Sequence, residues 1–212
     1  MSYPSYSRPE RIADSAIHVI GFFMAGIAVA WLFARAPQEL DARMLAALAL
    51  YSFALLLMLG ASGAYHILAD TAARPVLRRV DHAAIYVKIA GTFTPLAVLL
   101  GTAFGYATLA LVWLLALIGA AAKLWTGPGQ MQTGFWPYLA LGWLGLALFV
   151  PLTAQLPWAA LGLMFAGGLL YSSGIWFYTW EALPYSNAIW HGFVLVASGC
   201  FFAGIVASAS AL

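Results

Sequence analysis

The sequence predicts an all-α, polytopic membrane protein folded as a bundle of seven transmembrane helices. The chain has 212 residues, of which 64% are hydrophobic and only 8% are charged. A soluble domain carries about 25% charged residues, so this chain lacks the polar side chains needed to cover a globule in water. Seven apolar runs take up most of its length and leave no stretch for a soluble domain. We therefore expect residues 1–212 to form a single membrane domain.

Each apolar run is close to the roughly 20 residues that a helix needs to cross a bilayer. The expected spans are residues 15–34, 44–68, 82–100, 104–124, 135–152, 158–178 and 188–212. Short connectors that contain proline or glycine separate them, as expected between helices. The segment before the first span, residues 1–14, has balanced charge, and the first run has full transmembrane length, which argues against a cleavable signal peptide.

Lysine and arginine predict the orientation, because they are enriched in cytoplasmic loops. Only Arg35 and Arg43 fall on the side opposite the N-terminus. The residues on the N-terminal side are Arg8, Arg11, Arg74, Arg78, Arg79 and Lys123. The N-terminus is therefore expected in the cytoplasm and, after seven crossings, the C-terminus outside. The remaining basic residue, Lys88, falls within the third span, where it should face the bundle interior or reach towards an interface.

The remaining composition excludes other classes of protein. The formal net charge of +2 is too small to indicate nucleic-acid binding. Cys200 is the single cysteine, so the chain cannot form an internal disulfide.

The four histidines indicate a polar site at one end of the bundle. His18, His66, His82 and His191 come from four different spans, and the predicted topology places all of them near the cytoplasmic side. Imidazole is a good zinc ligand, and catalytic zinc sites commonly use three protein ligands and leave one position for water.

Two pairs of polar residues one helical turn apart lie at the same depth. Ser62 and His66 stand at i and i+4, as do Asn187 and His191, so each pair shares one helix face. With Asp81 they supply two or three metal donors, a hydroxyl and a carboxylate. The carboxylate could orient a ligand or act as a base towards water.

Simpler interpretations of these residues stay open. His18 and His82 taken singly are typical of interfacial or hydrogen-bonded histidines. Ser62 could be a small packing residue, and Asp81 could be the N-cap of the third helix. Asn187 could cap the last helix in the same way.

Several sequence blocks resemble the signature blocks of the hemolysin III family, the bacterial branch of the progestin and adiponectin receptor group. One block is Ser62-Gly-Ala-Tyr-His66, and another is Ile189-Trp-His191-Gly-Phe-Val. Between them lie Asp81-His-Ala-Ala-Ile-Tyr86 and Ile89-Ala-Gly-Thr-Phe-Thr-Pro95. The opening Ile12-Ala-Asp-Ser-Ala-Ile-His18-Val-Ile-Gly21 is similar to the first-helix block of the family. The resemblance covers essentially the whole chain.

The resemblance implies a zinc site on the cytoplasmic side of a seven-helix bundle. By position, His66 and His191 are metal ligands, Asn187 occupies the third ligand position, and Ser62 and Asp81 have catalytic roles. The family's other helix-seven histidine falls on Asn187, whose amide oxygen is a much poorer zinc ligand, so Asp81 and His18 are the available substitutes. Phe201 stands where bacterial members often have a further histidine.

In related receptors and in the similar alkaline ceramidases, this site is associated with hydrolysis of an amide bond in a ceramide-like lipid. The resemblance therefore implies an intramembrane zinc hydrolase of the bacterial inner membrane. Its partners would be membrane lipids, with a lipid substrate or a free fatty acid in the bundle cavity.

Two other functions remain open. One is a non-enzymatic sensor or regulator of membrane homeostasis with a structural or degenerate metal site, which Asn187 favours. The other is a proton-coupled transporter using Lys88 and the histidines. It ranks last, since no intramembrane acid completes a pathway on the far side.

Overall fold

The computed structural model describes residues 6–35, 40–127, 134–180 and 182–209, and these residues form eight helices and no strand. In chain order the helices are α1 (Arg8–Arg35), α2 (Ala42–Ile67), α3 (Arg74–Leu100), α4 (Ala103–Trp125), α5 (Trp136–Trp143), α6 (Leu146–Leu152), α7 (Trp158–Thr179) and α8 (Ser186–Ala209). Among the described residues, six helices are long and apolar enough to cross a membrane, namely α1 to α4, α7 and α8. The predicted helical membrane bundle is confirmed.

The fifth apolar run departs from the expected continuous span, because it is divided into α5 and α6. Together they cover Trp136–Leu152, or about 25 Å at 1.5 Å per residue. At the break, Gly145 comes so close to the preceding turn that an added Cβ would lie 3.1 Å from the Gly142 carbonyl oxygen. Pro151 lies inside α6 and lacks the N–H that a longer helix would use.

Two helices begin earlier than expected, and this changes the setting of two carboxylates. The first helix starts at Arg8, so Asp14 lies inside α1 rather than in a segment ahead of it. The third helix starts at Arg74, with Ala73 as its N-cap residue. The interpretation of Asp81 as the N-cap is therefore wrong. Residues 1–5 of the N-terminal segment and 210–212 of the last expected span lie outside the described residues.

The helix α3 forms the centre of the bundle, and α1 lies at its edge. In the most apolar stretch of each helix, 78% of the α3 residues are buried but only 17% of those in α1. Close approach of α2 and α3 depends on Gly91, where an added Cβ would lie 2.6 Å from the Ala54 Cβ. Small residues permit such contact in membrane bundles, where packing drives helix association.

Polar contacts join the beginnings of α1 and α8 at one end of the bundle. The Glu10 carboxylate accepts the Tyr185 backbone N–H at 2.9 Å and the Ser7 backbone N–H at 2.8 Å. On the other flank of α1, Arg11 forms an ion pair with Asp70, just beyond α2. These contacts bring the start of α1 between the end of α2 and the start of α8.

Candidate metal centre

Three helices each contribute two polar residues, one turn apart, to the same end of the bundle. The pairs are Asp14 and His18 on α1, Ser62 and His66 on α2, and Asn187 and His191 on α8. Residues at i and i+4 share one helix face, so each pair faces the junction of α1, α2 and α8.

Four of these side chains form a compact group that could hold a metal ion, called here the Asp–His cluster. Its members are Asp14, His18, His66 and His191, each of which offers one ligand atom within 4.8 Å of the others. None of the four side chains is more than 9% exposed. The His18 ring centroid lies 4.2 Å from that of His191 and 5.0 Å from that of His66.

Asp14 lies at the centre of the Asp–His cluster. Its Oδ1 atom is 2.6 Å from His191 Nδ1, which donates to it, and its Oδ2 atom is 3.1 Å from His66 Nδ1. The Asn187 amide nitrogen donates to the same Oδ2 at 3.0 Å. A buried carboxylate needs such partners, because burying an uncompensated charge is costly.

His18 supplies a buried nitrogen without a hydrogen bond. Its Nε2 atom has no hydrogen-bond partner among the described residues, and Asp14 Oδ1 lies 3.8 Å from it. A buried polar atom without a partner usually costs about 1–3 kcal/mol. A cation beside Asp14 would give this nitrogen a partner.

The donor set suits zinc. Zinc binds imidazole nitrogen and carboxylate oxygen at about 2.0–2.2 Å in tetrahedral geometry, which separates ligand atoms by about 3.3 Å. The distances of 3.1 Å and 3.8 Å from Asp14 to His66 and His18 are close to this separation. Small side-chain adjustments would therefore bring the donors onto one ion.

Asp81 is buried beside the cluster but has a different partner. Its Oδ2 atom lies 3.2 Å from His82 Nδ1, which is also 2.9 Å from the Arg78 carbonyl oxygen. Since both neighbours are acceptors, His82 Nδ1 carries a proton and donates it to them. His82 therefore holds the Asp81 carboxylate by a hydrogen bond, and it lies outside the four-residue group.

Two small pockets flank the Asp–His cluster, one polar and one apolar. Glu10, Arg11 and Asn187 line the polar pocket together with Asp14 and His66. Tyr6 also lines it, and burial, with the Asp14 carboxylate nearby, raises the pKa of Tyr6 to about 12. The Tyr6 phenol is therefore neutral at physiological pH.

The apolar pocket lies on the other side of the cluster, between α1, α2 and α8. His18, Ser62 and His191 lie along it, and its other lining residues are Ile17, Gly21, Met58, Leu59, Val194 and Leu195. Ser62 thus lines a space shared with two histidines and with aliphatic side chains. The cluster therefore lies between a polar pocket and an apolar pocket.

The structure brings together three of the five residues expected in the site. His66 and His191 belong to the cluster, and Asn187 contacts it through its amide nitrogen, so ligation by its oxygen would require the amide to turn over. Ser62 and Asp81 are buried nearby, and their catalytic roles remain predictions.

The expected site lacks Asp14 and includes His18 only as an available substitute. Their i and i+4 spacing is the same as that of the other two pairs. This spacing indicates both residues only if the first span begins before Asp14, whereas the expected span begins at residue 15.

Comparison with known proteins assigns the chain to a family. The family model described as haemolysin-III related matches residues 7–202. A hemolysin-3 homolog from Bacillus subtilis (strain 168) is 36% identical over 195 residues, covering 91% of each chain. Hemolysin-3 from Bacillus cereus is 34% identical over 194 residues, covering 91% of this chain and 89% of its own. This integral, multi-pass membrane protein belongs to the haemolysin-III-related family.

Proposed function

We propose that the protein is a zinc-dependent hydrolase of lipid amides, of the ceramide-like type, in the bacterial inner membrane. The observation that carries the proposal is the Asp–His cluster, buried at one end of the bundle between a polar and an apolar pocket. Water could reach the cluster from the polar side and an acyl chain from the apolar side. The basic residues at this end favour the cytoplasmic face.

The residues around the cluster suit hydrolysis of a carbonyl compound. A bound zinc ion supplies Lewis acidity, which makes a neighbouring water more acidic and polarises a carbonyl. Asp81 would accept a proton from the attacking water, with its carboxylate held by His82. The Ser62 hydroxyl, in the apolar pocket beside His18 and His191, would hydrogen-bond the carbonyl oxygen as negative charge develops there.

The apolar pocket favours a lipid over a soluble amide. Leu59, Val194 and Leu195 would contact an acyl chain, and the carbonyl would then lie near Ser62. The pocket has room for about one water molecule in this state. An acyl chain would therefore have to enter by displacing α1, the most peripheral of the three helices around it.

The test is hydrolysis of ceramide-like amides by purified protein in detergent, with free fatty acid measured as the product. The zinc-loaded wild type should release fatty acid, and chelation should stop the release until zinc is restored. His66→Ala should be inactive, whereas His82→Ala, a histidine at the same end but outside the cluster, should keep its zinc. Zinc-loaded protein that hydrolyses no lipid amide or ester would contradict the enzyme proposal.

The alternative is a non-enzymatic sensor or regulator of membrane homeostasis. The number of donors favours it, since four protein ligands would close the coordination sphere, as in structural zinc sites. Cobalt substitution separates the two functions. A spectrum that changes when a small anion such as azide is added would indicate an open position and favour the hydrolase, whereas an unresponsive four-coordinate spectrum would favour the sensor.

A further inference from the structure

We infer that Asp14 is a metal ligand that replaces the histidine absent at position 187, and that Asn187 holds this carboxylate in place. The inference rests on the zinc-binding part of the proposed function and assigns its ligands. It begins from the direct contact between Asn187 Nδ2 and Asp14 Oδ2, at 3.0 Å. Two residues in contact can exchange roles without moving the metal far.

The orientation of the Asn187 amide follows from its partner. A carboxylate accepts hydrogen bonds and donates none, so Asn187 must turn its NH₂ group, and not its oxygen, towards Asp14. The same nitrogen lies 3.1 Å from His66 Nδ1. With the NH₂ group on the side of Asp14 and His66, the amide oxygen is turned away from the cluster.

Asp14 also lies within reach of all three histidines of the cluster. Its Oδ2 atom is 3.1 Å from His66 Nδ1, and its Oδ1 atom is 2.6 Å from His191 Nδ1. His18 Nε2, which has no hydrogen-bond partner among the described residues, lies 3.8 Å from Oδ1. A metal ion bound by Asp14 would therefore lie next to three imidazoles, one of which has a buried nitrogen without a partner.

Charge compensation also favours ligation by Asp14. Three neutral imidazoles would leave the full 2+ charge of zinc in a buried site, whereas one carboxylate ligand halves it. Of the described residues only Asp14 and Asp81 are buried carboxylates, and Asp81 already has His82 as its partner. Ligating carboxylates are usually hydrogen-bonded in turn, and Asn187 would supply that bond.

The inference can be tested by exchanging the two residues in contact, Asp14 and Asn187, for an amide and a histidine. Zinc affinity would be measured by competition with a chelator in detergent for wild type, Asp14→Asn, the double variant Asp14→Asn with Asn187→His, and Asp41→Asn. Asp41→Asn is the matched control, since it makes the same substitution at the exposed N-cap of α2, at the opposite end of the bundle, where asparagine is an equally good cap. X-ray absorption would count the imidazoles bound to zinc.

Asp14→Asn should lose more than about 100-fold in zinc affinity, beyond the roughly 10–100-fold typical of a residue that only supports a ligand. The double variant should recover most of that loss and bind zinc with one more imidazole than the wild type, while Asp41→Asn should bind as the wild type does. If Asp14→Asn alone fails to fold, the inference is tested by the zinc affinity and the number of bound imidazoles in the double variant.

Two results would overturn the inference and leave the proposed function intact. One is zinc bound to Asp14→Asn as tightly as to the wild type, and the other is a folded double variant with no recovery of affinity and no added imidazole. A wild type that binds no zinc would contradict the proposed function as well, so the two failures are distinguishable.

Discussion

Asp14 and Asp81 are the two buried carboxylates among the described residues, and their partners give them different roles. Asp14 contacts His191, His66 and Asn187 at the centre of the cluster. Asp81 contacts His82 and lies outside the four-residue donor group. Asp81 is thus a buried carboxylate beside the cluster that does not belong to its donor set, and such a carboxylate is suited to accept a proton.

The substitution Asp81→Asn separates proton transfer from metal binding. Zinc content should stay at the wild-type level, because Asp81 is not among the four donors. Lipid-amide turnover should fall by about 10²–10⁴, the usual contribution of a general base. Asp70→Asn, an exposed carboxylate near the same end, is the control and should stay active. Wild-type turnover in Asp81→Asn would exclude the general-base role.

Lys88 shows how a buried charge is accommodated within the bundle. Its Nζ atom donates to the Tyr171 hydroxyl at 2.8 Å, and that hydroxyl lies 2.6 Å from Ser198 Oγ. The same nitrogen lies 4.4 Å from the centre of the Tyr171 ring and 5.1 Å from that of Phe201. Of the two expected positions for Lys88, the bundle interior is the one observed.

Tyr171→Phe should therefore destabilise the folded protein. The change removes the oxygen that accepts from Lys88 and leaves the ammonium group without its hydrogen bond, at a cost of about 1–2 kcal/mol. Tyr106→Phe, at an exposed tyrosine on α4, should have no measurable effect. Unfolding monitored in detergent compares the two, and equal stabilities would mean that the hydrogen bond to Lys88 contributes nothing.

Among the six long helices, α1 is the least buried, yet it supplies two of the four donors of the Asp–His cluster. It supplies Asp14 and His18, yet much of its outer face is exposed, including Phe23 and Ile27. Gly21 on its inner face lies against Leu195 of α8 and lines the apolar pocket. We expect this junction of α1 and α8 to be where an acyl chain enters.

Gly21→Leu should block the apolar pocket without removing a metal donor. A Cβ at Gly21 would lie 2.9 Å from Leu195 Cδ1, so the larger side chain must occupy the pocket or push Leu195 into it. Zinc content should be unchanged, and kcat/KM for a long-chain amide should fall by about tenfold to a hundredfold.

Gly26→Leu is the matched control, because an added Cβ at Gly26 has no atom within 4 Å. It lies on the same helix and introduces the same side chain. If both variants hydrolyse the long-chain amide equally well, the acyl chain does not bind in this pocket.

The elements also show where sequence patterns stop being informative. Run length predicted α1 to α4, α7 and α8, because hydrophobic length is a local property. At the break between α5 and α6, Gly145 lies close to Gly142 and also to Phe93 of α3, and the contact with Phe93 joins residues that are distant in sequence. The place of Asp14 in the site also depends on contacts between distant residues. Helical spacing shows that Asp14 and His18 share a face, but it does not show that α1 lies between α2 and α8.

For the whole molecule, the site lies at the end that carries most of the basic residues. Arg8 and Arg11 belong to the first turn of α1, and Arg74, Arg78 and Arg79 to the start of α3. The excess of basic residues predicts that this end faces the cytoplasm. Hydrolysis would then release its products at the cytoplasmic leaflet.

Reporter fusions test this topology in bacterial cells. A fluorescent protein that folds only in the cytoplasm should be active at the N-terminus, and a phosphatase that folds only outside should be active at the C-terminus. A phosphatase fused after Arg35 should also be active, because that end of α1 is opposite the site. The reverse pattern at all three positions would place the site on the outer face.

The central claim is that the Asp–His cluster binds a metal ion, and the most direct measurement is metal content per chain. Purified wild type, His66→Ala, His191→Ala and His82→Ala would be compared by elemental analysis after exchange into metal-free detergent buffer. We predict about one zinc per chain in the wild type and in His82→Ala, and none in the two cluster variants. A folded wild type without zinc, and with no uptake on addition of zinc, would contradict the account.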